Sequence, residues 1–244
     1  MKKHNDAICP ACGSYNKLYN DITINGNQLR CDCKEQKEKR RLLLKANIPY
    51  EYWFKDFNDY EGDQTALKEV KEYIQNLDNY YHENIGLFLY GNNGVGKTLM
   101  LVQVLREASR KKHSIFFVPY SKVITMLTNS WYDTKAKKDF ERQIEQVDFL
   151  LVDDIGKAYH SQGGLAESTF ENCLRYRSNP TLISSNKNVE EVRRMYEGTW
   201  GESIASLIYG KSIQIVVQGR DYRKDMSSKL KQRGQTEIHY RPLI

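Results

Sequence analysis

The stretch Gly91-Asn92-Asn93-Gly94-Val95-Gly96-Lys97-Thr98 constrains this chain more than any other. It follows the apolar run from Ile85 to Tyr90 and precedes Leu99-Met100-Leu101-Val102-Gln103-Val104-Leu105. A buried strand, a glycine loop and a helix start therefore stand in the order that a G-x-x-x-x-G-K-[ST] match requires. Glycines let backbone N–H groups converge on phosphate oxygens where a side chain would intrude. A helix beginning at Lys97 adds the positive end of its dipole. Lys97 is expected to reach the β- and γ-phosphates of a nucleotide, and the Thr98 hydroxyl to ligate Mg²⁺. The alternative, a glycine-rich turn with an exposed lysine, leaves the flanking strand and helix patterns without a reason.

A second stretch, Phe149-Leu150-Leu151-Val152-Asp153-Asp154-Ile155-Gly156, reads as a buried strand ending in paired carboxylates. In a parallel sheet that end faces the same crevice as the phosphate loop. Asp153 is placed to hold Mg²⁺, directly or through water, and Asp154 to polarise an attacking water. Pro180-Thr181-Leu182-Ile183-Ser184-Ser185-Asn186 is another strand, ending in a polar side chain. Asn186 would orient water between the acidic pair and the γ-phosphate; the alternative is a cap on the helix starting near Val189.

The remaining pattern alternates strand and helix. A helix is expected from Thr65 to Tyr81, with Leu67, Val70, Ile74 and Leu77 on one face. The helix after the phosphate loop runs to about Lys112, and Ile115-Phe116-Phe117-Val118 is a strand. Ser121 to Trp131 reads as helix and Thr134 to Lys138 as an exposed polar loop. Helices at Leu165–Arg177, Val189–Tyr196 and Ser203–Tyr209 and a last strand at Ile213–Val217 complete the set. The fold class is α/β, with a five-stranded, mainly parallel sheet and helices on both faces. The aromatic cluster Tyr50, Tyr52, Trp53 and Phe54 packs against the sheet or a nucleotide base; Cys173 reads as core.

Near the N-terminus, Cys9-Pro10-Ala11-Cys12 and Cys31-Asp32-Cys33 form two pairs with 18 residues between them. Four thiolates can close a tetrahedral Zn²⁺ shell. Asn25-Gly26-Asn27, flanked by Ile22-Thr23-Ile24 and Gln28-Leu29, is a hairpin signal inside the interval. Residues 1–33 thus read as a small zinc-ribbon-like domain whose folding energy comes from the metal. Residues 34–47 read as a charged helical linker, 48–226 as the main domain and 227–244 as a basic tail. The formal net charge of +6 suits a nucleic-acid partner without requiring one. No run of about 18 apolar residues exists, so no membrane span is expected. The N-terminus lacks the apolar stretch of a signal peptide, and a cytoplasmic location follows.

These stretches together resemble the bacterial and phage replicative helicase loaders of the DnaC/DnaI type. They are AAA+ ATPases, related to the transposase-helper ATPases of the IstB type. The resemblance rests on Gly91–Thr98, Leu151-Val152-Asp153-Asp154-Ile155-Gly156, Ser184-Ser185-Asn186 and Gly219-Arg220-Asp221-Tyr222-Arg223, and covers about residues 48–226. It implies an AAA+ three-layer sandwich that binds ATP and Mg²⁺, with Asn186 as sensor 1 and Arg223 as the sensor 2 arginine on the γ-phosphate. It also implies that Cys9, Cys12, Cys31 and Cys33 hold Zn²⁺ in a domain that grips the helicase. The implied function is bringing a replicative hexameric helicase onto single-stranded DNA, alone or as a homo-oligomer. A transposase-helper ATPase and a nucleotide-gated adaptor with little turnover are the alternatives. One departure stands out. Loaders of this type carry an arginine finger in the helix before the last strand, yet Gly201–Lys211 contains no arginine. Lys211, Arg193 and Arg194 are the substitutes at hand, and lysine is not equivalent to arginine at a phosphate.

Overall fold

The structure, a computed structural model, describes residues 22–24, 27–29, 33–128, 134–156, 165–196 and 199–222. These residues divide into two compact units, one ending at Phe54 and the other starting at Lys55.

In the first unit, β1 (Ile22–Ile24) and β2 (Asn27–Leu29) pair antiparallel, with Ile24 opposite Asn27. This is the register expected of a two-residue Asn-Gly connection. Helix α1 (Cys33–Lys45) follows, where the charged, helix-favouring run was expected to continue. It stops short of Pro49, and Tyr50–Tyr52 forms a single 3-10 turn. The aromatic cluster packs partly on itself. The Tyr50 ring lies 5.0 Å from Trp53 and 5.5 Å from Phe54, and the Trp53 indole N–H donates to the Ile48 carbonyl at 2.8 Å.

The second unit opens with a 3-10 turn at Phe57–Asp59, followed by α2 (Gln64–Gln75) and α3 (Leu77–His82). A single helix was expected here, and the chain instead breaks at Asn76. The Asn76 side chain donates to the Glu72 carbonyl, an alternative to continuing the helix. The buried face is Ala66, Leu67, Val70, Tyr73 and Leu77, with Ile74 only half-buried. Then come β3 (Gly86–Tyr90), α4 (Lys97–Arg110), β4 (Ile115–Pro119) and α5 (Tyr120–Thr128). The expected exposed loop at Thr134–Lys138 is instead the first part of α6 (Thr134–Gln146). Its polar residues are good helix formers, and Phe140, Ile144 and Val147, spaced by four and three, bury one side. The chain continues through β5 (Phe149–Ile155), α7 (Leu165–Tyr176), β6 (Thr181–Ser185) and α8 (Val189–Met195). It ends in α9 (Thr199–Lys211), longer than expected at both ends, and β7 (Ser212–Val216).

The five strands form one parallel sheet in the order β4-β5-β6-β3-β7. Side-chain alternation divides its apolar residues between two faces. Phe88, Leu150, Val152 and Ile183 pack with Val123, Phe170, Val192, Ile204 and Ile208 of the later helices. Leu87, Leu89, Phe117, Phe149, Leu151 and Leu182 are also buried, and α4 lies against β4, β5 and β6. Burial on both faces explains why β5 begins as four consecutive apolar residues rather than an alternation. Cys173 is core, as expected, and burial pushes its thiol up to about 12. Among the described residues, no helix is long and apolar enough to cross a membrane.

Candidate functional site

Because every strand of the sheet runs the same way, the carboxyl ends of β3, β5 and β6 open on one edge. Tyr90 is in register with Ser185, and Ile155 with the same Ser185. The Gly91–Thr98 loop, Asp153, Asp154 and Asn186 therefore meet there, as strand polarity requires of a ligand crevice.

The phosphate loop approaches its surroundings too closely for most side chains. Gly96 has φ +96° and stands at the N-cap of α4, and a Cβ there would sit 2.4 Å from the Tyr60 ring. Gly94 has φ +74°, and a Cβ would meet the Asp221 carboxylate at 1.7 Å. The carbonyls of this loop are held from outside. The Tyr60 hydroxyl donates to Val95 O at 3.0 Å and accepts from the Asp63 N–H at 2.9 Å. The Tyr222 N–H donates to Gly94 O at 3.1 Å. Burial raises the Tyr60 phenol to about 12, so it stays a donor. Sequence reasoning missed Tyr60: it lies 35 residues from Val95, and no local pattern links them.

Lys97 is buried, and its ammonium donates to Gly91 O and Asn92 O at 2.7 Å each and to Asn186 Oδ1 at 2.9 Å. The expected phosphate lysine and the expected γ-phosphate sensor are thus in direct contact. The helix after β6 is capped by Asn188, whose side chain accepts from the Glu191 N–H while Glu191 returns a bond to Asn188 N–H. Asn186 is consequently not the cap of α8.

The Thr98 hydroxyl donates to Asp153 Oδ1 at 2.8 Å, and the Ser184 hydroxyl donates to the same oxygen at 2.5 Å. Asp154 has φ +62°, a left-handed conformation that Asp tolerates better than most residues. Its N–H donates to Ser184 Oγ at 2.8 Å. The pairing of β5 with β6 shifts register between Val152 and Ile155, so a bulge carries both carboxylates. Ser184, which the sequence offered only as part of the stretch leading to Asn186 and with no role of its own, is the hydroxyl that joins them.

The donor set fits a phosphate ester with a divalent cation. Gly94 and Gly96 shape a backbone cradle, and α4 supplies N–H groups free of intrahelical partners in its first turn. Thr98 and Asp153 are hard oxygen ligands of the kind Mg²⁺ takes together with phosphate oxygens. Arg223, Cys9, Cys12 and Cys31 lie outside the described residues, as does the side chain of Cys33, which heads α1. Among the described residues, no group of three or more His, Cys, Asp or Glu could hold a metal ion.

The substitutes for an arginine finger have internal partners in two of three cases. Lys211 Nζ donates to Arg175 O at 3.3 Å and Arg177 O at 3.1 Å, closing the end of α7. Arg193 donates to Glu190 at 2.9 Å and to Glu202 at 2.6 Å. Arg194 is exposed on α8.

A family model described as an IstB-like ATP-binding protein matches residues 22–230. The chain belongs to the IstB-like ATP-binding family. Within curated proteins it is 24% identical to the replicative helicase loader DnaI of Bacillus subtilis over 190 residues, covering 72% of this chain and 60% of that protein. The crystal structure of the DnaC helicase loader shares its fold with a TM-score of 0.60 at 21% identity, covering 70% of this IstB-like chain and all of the other. AMPPCP-bound DnaA from Aquifex aeolicus gives a TM-score of 0.54 at 20% identity, covering 76% of this chain and 56% of that one. The architecture is accordingly the AAA+ phosphate-loop fold, as expected. The IstB-like chain spans from 28% to 60% of the length of the curated relatives it matches.

Proposed function

We propose that this chain is an ATP-binding helicase loader that brings a replicative hexameric helicase onto single-stranded DNA. The observation that carries the reading is the convergence of Lys97 with Asn186, and of Thr98 with Asp153, at one sheet edge. Similarity to a replicative helicase loader supports the choice of partner. Bound ATP with Mg²⁺ would supply a γ-phosphoryl group open to attack by water. The chain's own contribution is position and charge. Lys97 would exchange an oxygen contact for phosphate, Thr98 and Asp153 would hold the cation, and Asn186 and Asp154 would orient water. Arg223 would reach the γ-phosphate from the segment that Tyr222 anchors to Gly94.

This division of labour separates the two carboxylates. Asp154→Asn is expected to keep ATP and Mg²⁺ binding and lose turnover, because Asn also accepts the left-handed conformation. Asp153→Asn is expected to weaken Mg²⁺-dependent binding by about tenfold, since it loses the charge facing the cation. Nucleotide binding with and without Mg²⁺, alongside phosphate release, checks both. Identical defects in the two variants would contradict the assignment.

Residues 1–33, with Cys9, Cys12, Cys31 and Cys33 around one Zn²⁺, would form the grip on the helicase, linked by residues 34–47. The ATPase domain, taken as about residues 48 to 226, and the basic stretch after it would follow single-stranded DNA in the cytoplasm, with salt-sensitive, sequence-tolerant contacts. Deleting residues 1–46 is expected to abolish co-elution with a replicative helicase and remove the zinc, while ATP binding persists. Cys31→Ser in the full chain is expected to lose the zinc as well. Helicase binding by the truncated chain would place the partner surface on the ATPase unit and overturn the arrangement.

A second reading, a nucleotide-gated adaptor with little turnover, is favoured by the internal engagement of Lys211 and Arg193. Steady-state ATPase with and without single-stranded DNA separates the two. A pull-down with a helicase also separates a loader from a transposition helper.

A further inference from the structure

Ser184 is completely buried, on the strand β6 that runs between β3 and β5. A hydroxyl in such a place is costly unless both its donor and its acceptor capacity are used. Here both are used, and both partners belong to the acidic pair. The hydroxyl donates to Asp153 Oδ1 and accepts the Asp154 N–H. The bulge between Val152 and Ile155 accounts for the second bond. It withdraws Asp154 from the regular ladder with β6, and the side chain of β6 takes up the N–H instead. Asp154 is left-handed at φ +62°, a conformation that persists where its surroundings hold it.

The first bond has a counterpart from the other side of the site. Thr98 on α4 donates to the same Asp153 oxygen that Ser184 reaches from β6. Two hydroxyls from two elements thus converge on one carboxylate oxygen. A serine needed only for strand packing would make neither contact, and a small apolar residue would fill the position as well.

We propose that Ser184 is a positioning residue for the Mg²⁺–nucleotide site: it presets the Asp153 carboxylate toward the cation and holds the left-handed turn from which Asp154 projects. This rests on the reading of Gly91–Thr98 and Asp153 as a nucleotide site with Mg²⁺, and it adds a residue outside both motifs. Ser184 acts through the carboxylates and need not touch nucleotide.

The test uses the full chain and Ser184→Ala, with a fluorescent ATP analogue titrated in Mg²⁺ and again in EDTA. A preset carboxylate matters only when the cation is present. Ser184→Ala is therefore expected to weaken Mg²⁺-dependent affinity by about tenfold and to leave affinity in EDTA within about twofold of wild type. An unchanged ratio of the two affinities would overturn the proposal. An equal fall in both, accompanied by a lowered melting temperature, would also overturn it, because Ser184 would then be holding the fold. If the wild-type chain bound no nucleotide under either condition, the nucleotide reading itself would fall, a result distinct from the other two.

Discussion

Lys97→Ala is expected to abolish tight ATP binding while the sheet stays folded. The ammonium would make two or more charge-assisted bonds to phosphate, each contributing about 1.5–3 kcal/mol. Their loss corresponds to roughly a hundredfold or more in affinity. A lysine that met only phosphate would be silent for stability. The structure modifies that expectation. Lys97 is buried and ties the carbonyls of Gly91 and Asn92 to Asn186 across the crevice. Removing it should cost about 1–3 kcal/mol in addition, as a melting temperature lowered by a few degrees. Titration of ATP against the purified variant, paired with a thermal melt, checks both halves. Unchanged nucleotide affinity in a folded variant would sink the assignment of the phosphate loop.

The largest effect on stability is expected at Arg177, far from the site. Its guanidinium is buried and donates to Ile144 O at 2.6 Å, Glu145 O at 3.3 Å, Asp148 O at 3.1 Å and Pro180 O at 2.9 Å. Its Nε donates to Thr181 Oγ1 at 3.0 Å. Ile144 and Glu145 lie in the last turn of α6, whose carbonyls have no partner within the helix. A cation there also meets the negative end of the helix dipole. One side chain thus ties the end of α6 to the start of β6. Arg177→Met has similar bulk and no donors, so it would take this donor from the carbonyls of Ile144, Glu145 and Asp148, while Pro180 O keeps the Leu150 N–H. The expected cost is about 3–5 kcal/mol, a large share of the 5–15 kcal/mol that holds an ordinary domain together. A drop in melting temperature of about 10 °C follows for a chain of this size. Arg142→Met serves as control, because that side chain is exposed and pairs with the equally exposed Asp139 at the surface. A melt within about 3 °C of wild type for Arg177→Met would show that water replaces the guanidinium without loss.

The phosphate loop and the acidic strand end were legible because their chemistry is local. Backbone approach needs glycine, phosphate needs a lysine at fixed spacing, and a strand buried on both faces reads as an apolar run. The pairing of Ile22–Ile24 with Asn27–Leu29 was legible for the same reason, since Asn-Gly between two such runs is a hairpin signal. The errors came where local signals were balanced. Thr134–Lys138 is polar enough for a loop, and only the burial of Phe140 and Ile144 makes it helix. The helix after Asp63 breaks at Asn76, although its apolar spacing continues to Leu77.

By itself, the sequence determined the five strands, their parallel direction and the residue types gathered at the ligand edge, because strand periodicity and glycine spacing depend on neighbours along the chain. Only the tertiary structure decided which side chains hold those residues in place. Tyr60 on the phosphate loop, Ser184 between the carboxylates, Asn186 on Lys97 and Lys211 on the end of α7 are contacts across 30 or more residues. Long-range hydrogen bonds of that kind leave no periodic trace, since each is selected by the geometry of the packed sheet rather than by the local chain.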